Sequence, residues 1–74
     1  MQKTTAQRTG ANVKAEMARR DLTQVALAEK LGMSQSMLSY RLRGQVPFDV
    51  DELELVAGVL GVPLAVLLAE QPAA

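Results

Sequence analysis

The stretch 34–43, SQSMLSYRLR, holds side chains whose types and spacing suit recognition by hydrogen bonds. On a helix with about 100° per residue, Leu38 and Leu42 fall on one stripe and predict its buried side. The opposite side carries Ser36, Tyr40 and Arg43, flanked by Met37 and Ser39. A short helix with such a polar and basic ridge can enter the DNA major groove. The predicted chemistry is therefore non-covalent binding of a nucleic acid.

The residue types that most often carry out covalent or metal-assisted catalysis are missing from the sequence. It contains no His and no Cys, which removes the usual general base, thiol nucleophile and soft metal ligands. The acids between positions 49 and 54 lie at a predicted helix start, where they complement the helix dipole. We therefore expect no enzyme and no metal site or cofactor, and no small-molecule ligand is evident.

Charge is divided unequally along the chain, although its net value is zero. Residues 1–45 hold all eight Lys and Arg and three acids, a net of +5. Residues 46–74 hold five acids and no basic residue, a net of −5. A polyanion is attracted to the first part and repelled by the second, which orients its approach. The distribution favours DNA as a partner.

Composition predicts one all-α domain. Apolar residues make up 49% of the chain but aromatic residues only 3%, which suits a helical bundle better than a β-sandwich. No apolar run approaches the roughly 20 residues that span a bilayer. The first dozen residues are polar, unlike a secretory signal. We expect a cytoplasmic protein of a bacterial or phage-infected cell, without membrane contact.

Caps and periodicity predict five helices with short connections. Helix 1 is expected over about Gly10–Arg20, behind a flexible arm at residues 1–8. Helices 2 and 3 are delimited by the N-caps Thr23 and Ser34 and by the C-terminal glycines Gly32 and Gly44.

The remaining two helices are predicted by a capping box and by a proline. Asp49, with Glu52 three residues later, starts helix 4, which ends at Gly61. Pro63 opens helix 5, which runs to about Ala69. The predicted domain covers residues 9–70 and is followed by a frayed tail, 71–74.

Short signals in a fixed order identify a family resemblance. They are Leu22-Thr23-Gln24, Leu27-Ala28, Lys30-Leu31-Gly32, Ser34-Gln35-Ser36, Leu38-Ser39, Arg43-Gly44, Asp51-Glu52-Leu53 and Leu60-Gly61-Val62. Together they resemble the lambda-repressor-like helix-turn-helix family, of the Cro/XRE type, over more than half of the chain. The resemblance implies a compact five-helix DNA-binding domain with the helix-turn-helix at helices 2 and 3. The third helix would enter the major groove.

The resemblance implies base contacts along helix 3. The family places Gln35 at the tip that meets base edges, where an amide donates and accepts at once, as adenine requires. Ser36 and Ser39 are short enough to allow close approach, and Met37 and Tyr40 can contact a thymine methyl group.

Phosphate contacts are expected from helix starts and from cations. Gln24 stands where the family contacts a backbone phosphate, and helix N-termini favour anions. Arg41 departs from the family, because many members carry an apolar residue there; we expect it to reach past the core to a phosphate. The full predicted phosphate set is Gln24, Ser34, Arg41, Arg43, Lys3, Arg8, Arg19 and Arg20. The sequence does not separate binding cations from solvated ones.

The last third of the chain predicts a second surface. Helix 5 can cover part of the apolar surface beyond the core stripe within one subunit. The alternative that we favour is a homodimer on DNA, with a candidate interface at Leu55, Val59, Leu64, Leu67 and Leu68. The favoured function is a Cro-like or repressor-like regulator that acts by operator occupancy. Two alternatives stay open: an architectural recombination directionality factor (excisionase), and a protein-binding antitoxin or anti-repressor module on the same fold.

Overall fold

Five α-helices build the fold in a computed structural model that describes residues 3–70. They are α1 Thr5–Arg19, α2 Gln24–Leu31, α3 Gln35–Leu42, α4 Val50–Leu60 and α5 Leu64–Leu68. No strand occurs within the described residues, and none of the helices found there is long and apolar enough to cross a membrane. The predicted all-α class with five helices is confirmed.

The second, third and fourth helices begin at the predicted caps. The side chains of Thr23 and Ser34 each accept a hydrogen bond, from Ala26 N and Met37 N, both at 3.1 Å. The capping box at the start of α4 is complete, with Asp49 and Glu52 each accepting the other's backbone N–H. Gly32 and Gly61 end α2 and α4 with φ near +70°, a conformation that glycine adopts without strain.

The first helix is longer than predicted. It begins at Thr5 and not near Gly10, because Thr4 and Gln7 form a capping box at 2.9 and 3.1 Å. The first turn is polar, so apolar periodicity did not detect it. Residues 5–8 of the predicted flexible arm are therefore helical. Positions 1–2 of that arm, and the predicted frayed tail 71–74, lie outside the described residues.

The core forms where the apolar stripes of all five helices meet. Leu38 and Leu42, the residues predicted to face inward on α3, are buried, and Leu31 of α2 is half-buried against the same core. The core residues are Val13, Met17, Leu27, Ala28, Leu38, Leu42, Phe48, Leu53, Val56, Ala57, Leu60 and Leu67. Helix α1 packs on α3 and α5, while α2 packs on α3 and α4. The third helix is thus held from two sides.

A polar contact fixes the short last helix. Asn12 of α1 is buried, and its Nδ2 donates to the carbonyl oxygens of Leu67 at 2.9 Å and Ala69 at 2.7 Å. These carbonyls lie at the end of α5, where helical partners run out. Pro63 is the N-cap of α5 and not its first residue, and the helix ends at Leu68, one residue before the predicted end.

Helices α1 and α3 approach so closely at Gly10 that no side chain fits between them. A Cβ at Gly10 would lie 2.3 Å from the carbonyl oxygen of Leu42. Gly58, in α4, is exposed, and a Cβ there would meet nothing within 4 Å.

We expect Gly10→Ala and Gly58→Ala to change stability in opposite directions. Gly10→Ala must push two backbones apart and should lower the free energy of unfolding by about 1–3 kcal/mol. Gly58→Ala gains helix propensity and should raise it by roughly 0.5–1 kcal/mol. Urea unfolding followed by circular dichroism measures both. Equal effects of the two substitutions would contradict the close approach.

Candidate nucleic-acid interface

A three-residue connection joins the two helices that carry the candidate interface. Gly32 takes the left-handed conformation, and Met33 N donates to Ala28 O at 3.0 Å, which closes the turn after α2. Ser34 then caps α3. The sharp change of direction leaves the start of α3 exposed, while Leu38 and Leu42 are buried beneath it.

The outward side of α3 carries the predicted base-reading residues. Leu38 and Leu42 are 0% and 2% exposed, so the helix buries one stripe completely. Ser39 is half-buried at the edge of the outward face. The exposed members are Gln35, Ser36, Met37 and Tyr40. The structure therefore gathers all five predicted residues on one helix, with four of them open to a ligand.

Arg43 extends this outward face beyond the end of α3. Its guanidinium carbon lies 5.4 Å from the centre of the Tyr40 ring, a cation–π contact. Its Nη2 also donates to Gln45 Oε1 at 3.4 Å. Both partners are neutral, so the positive charge of Arg43 is held in place without being neutralised.

The starts of α2 and α3 present polar groups to solvent. Gln24 is the first residue of α2 and is exposed. The Ser34 oxygen accepts from Met37 N, which leaves its hydroxyl hydrogen available to donate. First-turn backbone N–H groups have no helical partner and attract anions. The geometry thus suits both residues to the predicted phosphate contacts.

Arg41 is placed differently from the expectation. Its Nε donates to Glu52 Oε1 at 3.0 Å, and its Nη1 donates to Met37 O at 3.3 Å. The two charged side chains are only 15% and 19% exposed. Arg41 therefore connects α3 to the start of α4, and its guanidinium is engaged by a carboxylate of the chain. The two residues are eleven positions apart, so their spacing along the chain did not indicate the pair.

Arg19 and Arg20 are also engaged within the chain. Both donate to the carboxylate of Glu16, Arg20 at 2.8 Å, and Arg20 also donates to the Glu16 carbonyl. The hydrogen bond from Arg20 holds the pKa of Glu16 below its ordinary value, against the opposing effect of desolvation. The predicted phosphate role of these two arginines would require them to share or leave an ion pair. Glu16 precedes Arg19 and Arg20 by three and four residues, a helical spacing that could have indicated these ion pairs from the sequence.

Lys3 and Arg8 flank the first turn of α1. Lys3 is exposed, whereas Arg8 is half-buried and its Nη2 lies 3.5 Å from Thr5 Oγ1. Neither forms an ion pair with a described carboxylate.

The predicted dimer surface is only partly exposed. Leu67 is 0% exposed and belongs to the core, so it is not available to a partner, contrary to the prediction. Val59 and Leu64 are half-buried against the core. Leu55 and Leu68 remain open, at 56% and 46% exposed. The period of α5 could not be read from the sequence, because nearly all its residues are apolar.

Helices α2 and α3 are both capped and are joined by a tight turn at Gly32, and α3 is buried on one side and polar on the other. These features define a helix-turn-helix DNA-binding domain. Residues 13–67 match the helix-turn-helix family. Over 62 residues, 84% of the chain, the sequence is 39% identical to the immunity repressor protein of Bacillus phage phi105. The chain belongs to the helix-turn-helix family, and the resemblance predicted from its motifs is confirmed.

The fold is also similar to that of a regulator of known structure. The clp gene regulator ClgR from C. glutamicum matches with a TM-score of 0.85 at 27% identity, over 90% of this chain and 87% of that one. The match to the phage repressor covers 43% of that protein, so the chain spans less than half its length. Both relatives are regulators, which supports the prediction that the chain is not an enzyme.

The Arg41–Glu52 pair should contribute to stability and not to the salt dependence of DNA binding. Arg41→Met and Glu52→Gln should each lower the free energy of unfolding by about 1–3 kcal/mol, and their effects should not add. Because Arg41 is paired with Glu52, we expect it to release no counterion from a phosphate, and Arg41→Met should leave the slope of log Kd against log salt unchanged. Chemical unfolding and fluorescence anisotropy measure the two quantities. A slope lower by about one, with unchanged stability, would restore the phosphate role.

Proposed function

We propose that this chain binds double-stranded DNA sequence-specifically and regulates transcription by occupying an operator. The observation that carries the proposal is the outward face of α3. Gln35, Ser36 and Tyr40 are exposed there, above a fully buried apolar stripe. A rigidly seated short helix with exposed polar side chains fits the major groove, where each base pair presents its own pattern of donors and acceptors.

In this proposal the helix starts set the position and α3 reads the bases. Gln24 and Ser34 contact the sugar-phosphate backbone on either side of the turn, which fixes how deep α3 lies in the groove. Gln35 then meets the edge of an adenine with its amide, while Met37 and Tyr40 make apolar contacts with thymine methyl groups. Ser36 and Ser39 allow the close approach.

Operator occupancy is favoured over the two other roles by the phage relative. That protein is named an immunity repressor, and 84% of this chain aligns with it. A bound protein can exclude polymerase from a promoter without any further activity. With DNA as the ligand, we propose that the protein acts in the cytoplasm of a bacterial or phage-infected cell.

We further propose that the chain binds as a homodimer. Leu55 of α4 and Leu68 of α5 expose large apolar side chains without a described partner. Val66 is a second exposed apolar residue on α5. Exposed apolar surface of this kind suits an isologous contact between two copies. A two-fold dimer would place its two α3 helices in half-sites about one helical turn apart.

Footprinting on the DNA that flanks the chain's own gene tests the role and the symmetry together. A dimeric repressor protects one or two palindromic sites. A row of directly repeated sites would favour the architectural alternative, and absence of protection at any salt concentration would favour a protein-binding module.

Two glutamine substitutions distinguish base reading from backbone positioning. Gln35→Ala should weaken binding to the footprinted site by about 1–3 kcal/mol and relax the preference at one base pair. Gln24→Ala is the matched control and should weaken specific and non-specific duplexes alike. Anisotropy titrations on the site and on single-base variants measure both. Unchanged base preference in Gln35→Ala would contradict the assignment.

A further inference from the structure

The cations of the chain fall into two groups. Three arginines are bound to carboxylates of the chain itself: Arg19, Arg20 and Arg41. The others form no ion pair with a carboxylate of the described part: Lys3, Arg8, Lys14, Lys30 and Arg43.

Three of these unpaired cations line the same cleft. The cleft has a volume of about 260 Å³ and lies between α1 and the end of α3. Its lining residues are Lys3, Gln7, Ala11, Lys14, Leu42 and Arg43. The lining contains three positive charges and no carboxylate. Such a concave site with charge of one sign concentrates anions.

The fold fixes the walls of this cleft. Gln7, Ala11 and Lys14 are spaced by four and three residues and therefore share one face of α1. Gly44 follows α3 with φ +76°, and a Cβ there would lie 2.6 Å from Gln7 Cα. The end of α3 is thus in close contact with α1, which brings Arg43 to the face of α1 that carries Lys14.

We infer that this cleft binds a phosphodiester of the DNA backbone beside the C-terminal end of α3. The inference rests on the proposed function and adds Lys14, a residue outside the predicted phosphate set, to the interface. Arg43 belongs both to the cleft and to the outward face of α3, through its contact with Tyr40. The cleft is therefore continuous with the surface that faces the bases, and the DNA strand beside α3 supplies the phosphate.

The salt dependence of DNA affinity tests the inference directly. Each phosphate contact contributes about 0.9 to the slope of log Kd against log salt. Lys14→Gln should lower this slope by about that amount and weaken specific and non-specific duplexes equally. Lys30→Gln removes the same charge from an exposed position outside the cleft, and its slope should match the unmodified chain. Lys14 is exposed, so circular dichroism should show both variants folded.

A titration with inorganic phosphate separates the DNA backbone from a free anion as the source. In the expected result, Lys14→Gln lowers the DNA salt slope and millimolar phosphate does not saturate the amide shifts of Gln7 and Ala11. A slope that is equal in Lys14→Gln and the unmodified chain overturns the inference, whether or not phosphate binds. Saturable phosphate binding that depends on Lys14 but does not compete with DNA also overturns it, in favour of a free-anion site. Absence of any salt-dependent DNA binding by the unmodified chain would instead contradict the proposed function.

Discussion

The burial of Leu38 and Leu42 is the constraint on which the rest of this structure depends. Helix α3 has eight residues, and isolated helices shorter than about 12–15 residues are marginal in water. It exists as a defined helix because these two leucines, almost fully buried, fix it to α1 and α2. Gly10 allows α1 to touch the Leu42 carbonyl. The same burial determines which side of α3 remains free.

Charge is arranged around that free side by selective pairing. Arg41 and Glu52 join α3 to the N-terminus of α4, so a basic residue of the reading helix acts as a structural link. Arg19 and Arg20 are bound to Glu16 at the far end of α1. The cations that form no ion pair with a described carboxylate include those of the cleft beside Arg43. A net charge of zero therefore coexists with a local positive surface next to α3.

Local signals predicted much of this arrangement from the sequence. The predicted caps Thr23, Ser34 and Asp49 are confirmed. They could be predicted because each cap contacts a backbone N–H only three residues later. The inward stripe of α3 is confirmed because helical periodicity alone determines it. The start of α1 was missed because its first turn is polar and is recognised only from its capping box.

Other features depend on contacts between distant residues, which spacing does not reveal. Arg41 and Glu52 are eleven positions apart, and their ion pair follows from how α2, which packs on both α3 and α4, positions those two helices. Leu67 was assigned to a dimer surface because α5 is apolar all round, and only packing on α1 and α4 decides which side is buried. The cleft at Lys14 is formed by residues as far apart in the sequence as Lys3 and Arg43.

The most direct test of this account is an NMR measurement of intermolecular contacts in the complex with a duplex that carries the footprinted site. Intermolecular nuclear Overhauser effects are expected between the side chains of Gln35, Ser36 and Tyr40 and major-groove base protons. The buried Leu38 and Leu42 should show none. Contacts from α4 and α5 to the DNA, with the side chains of α3 making none, would contradict the claim that the seated third helix is the reading surface.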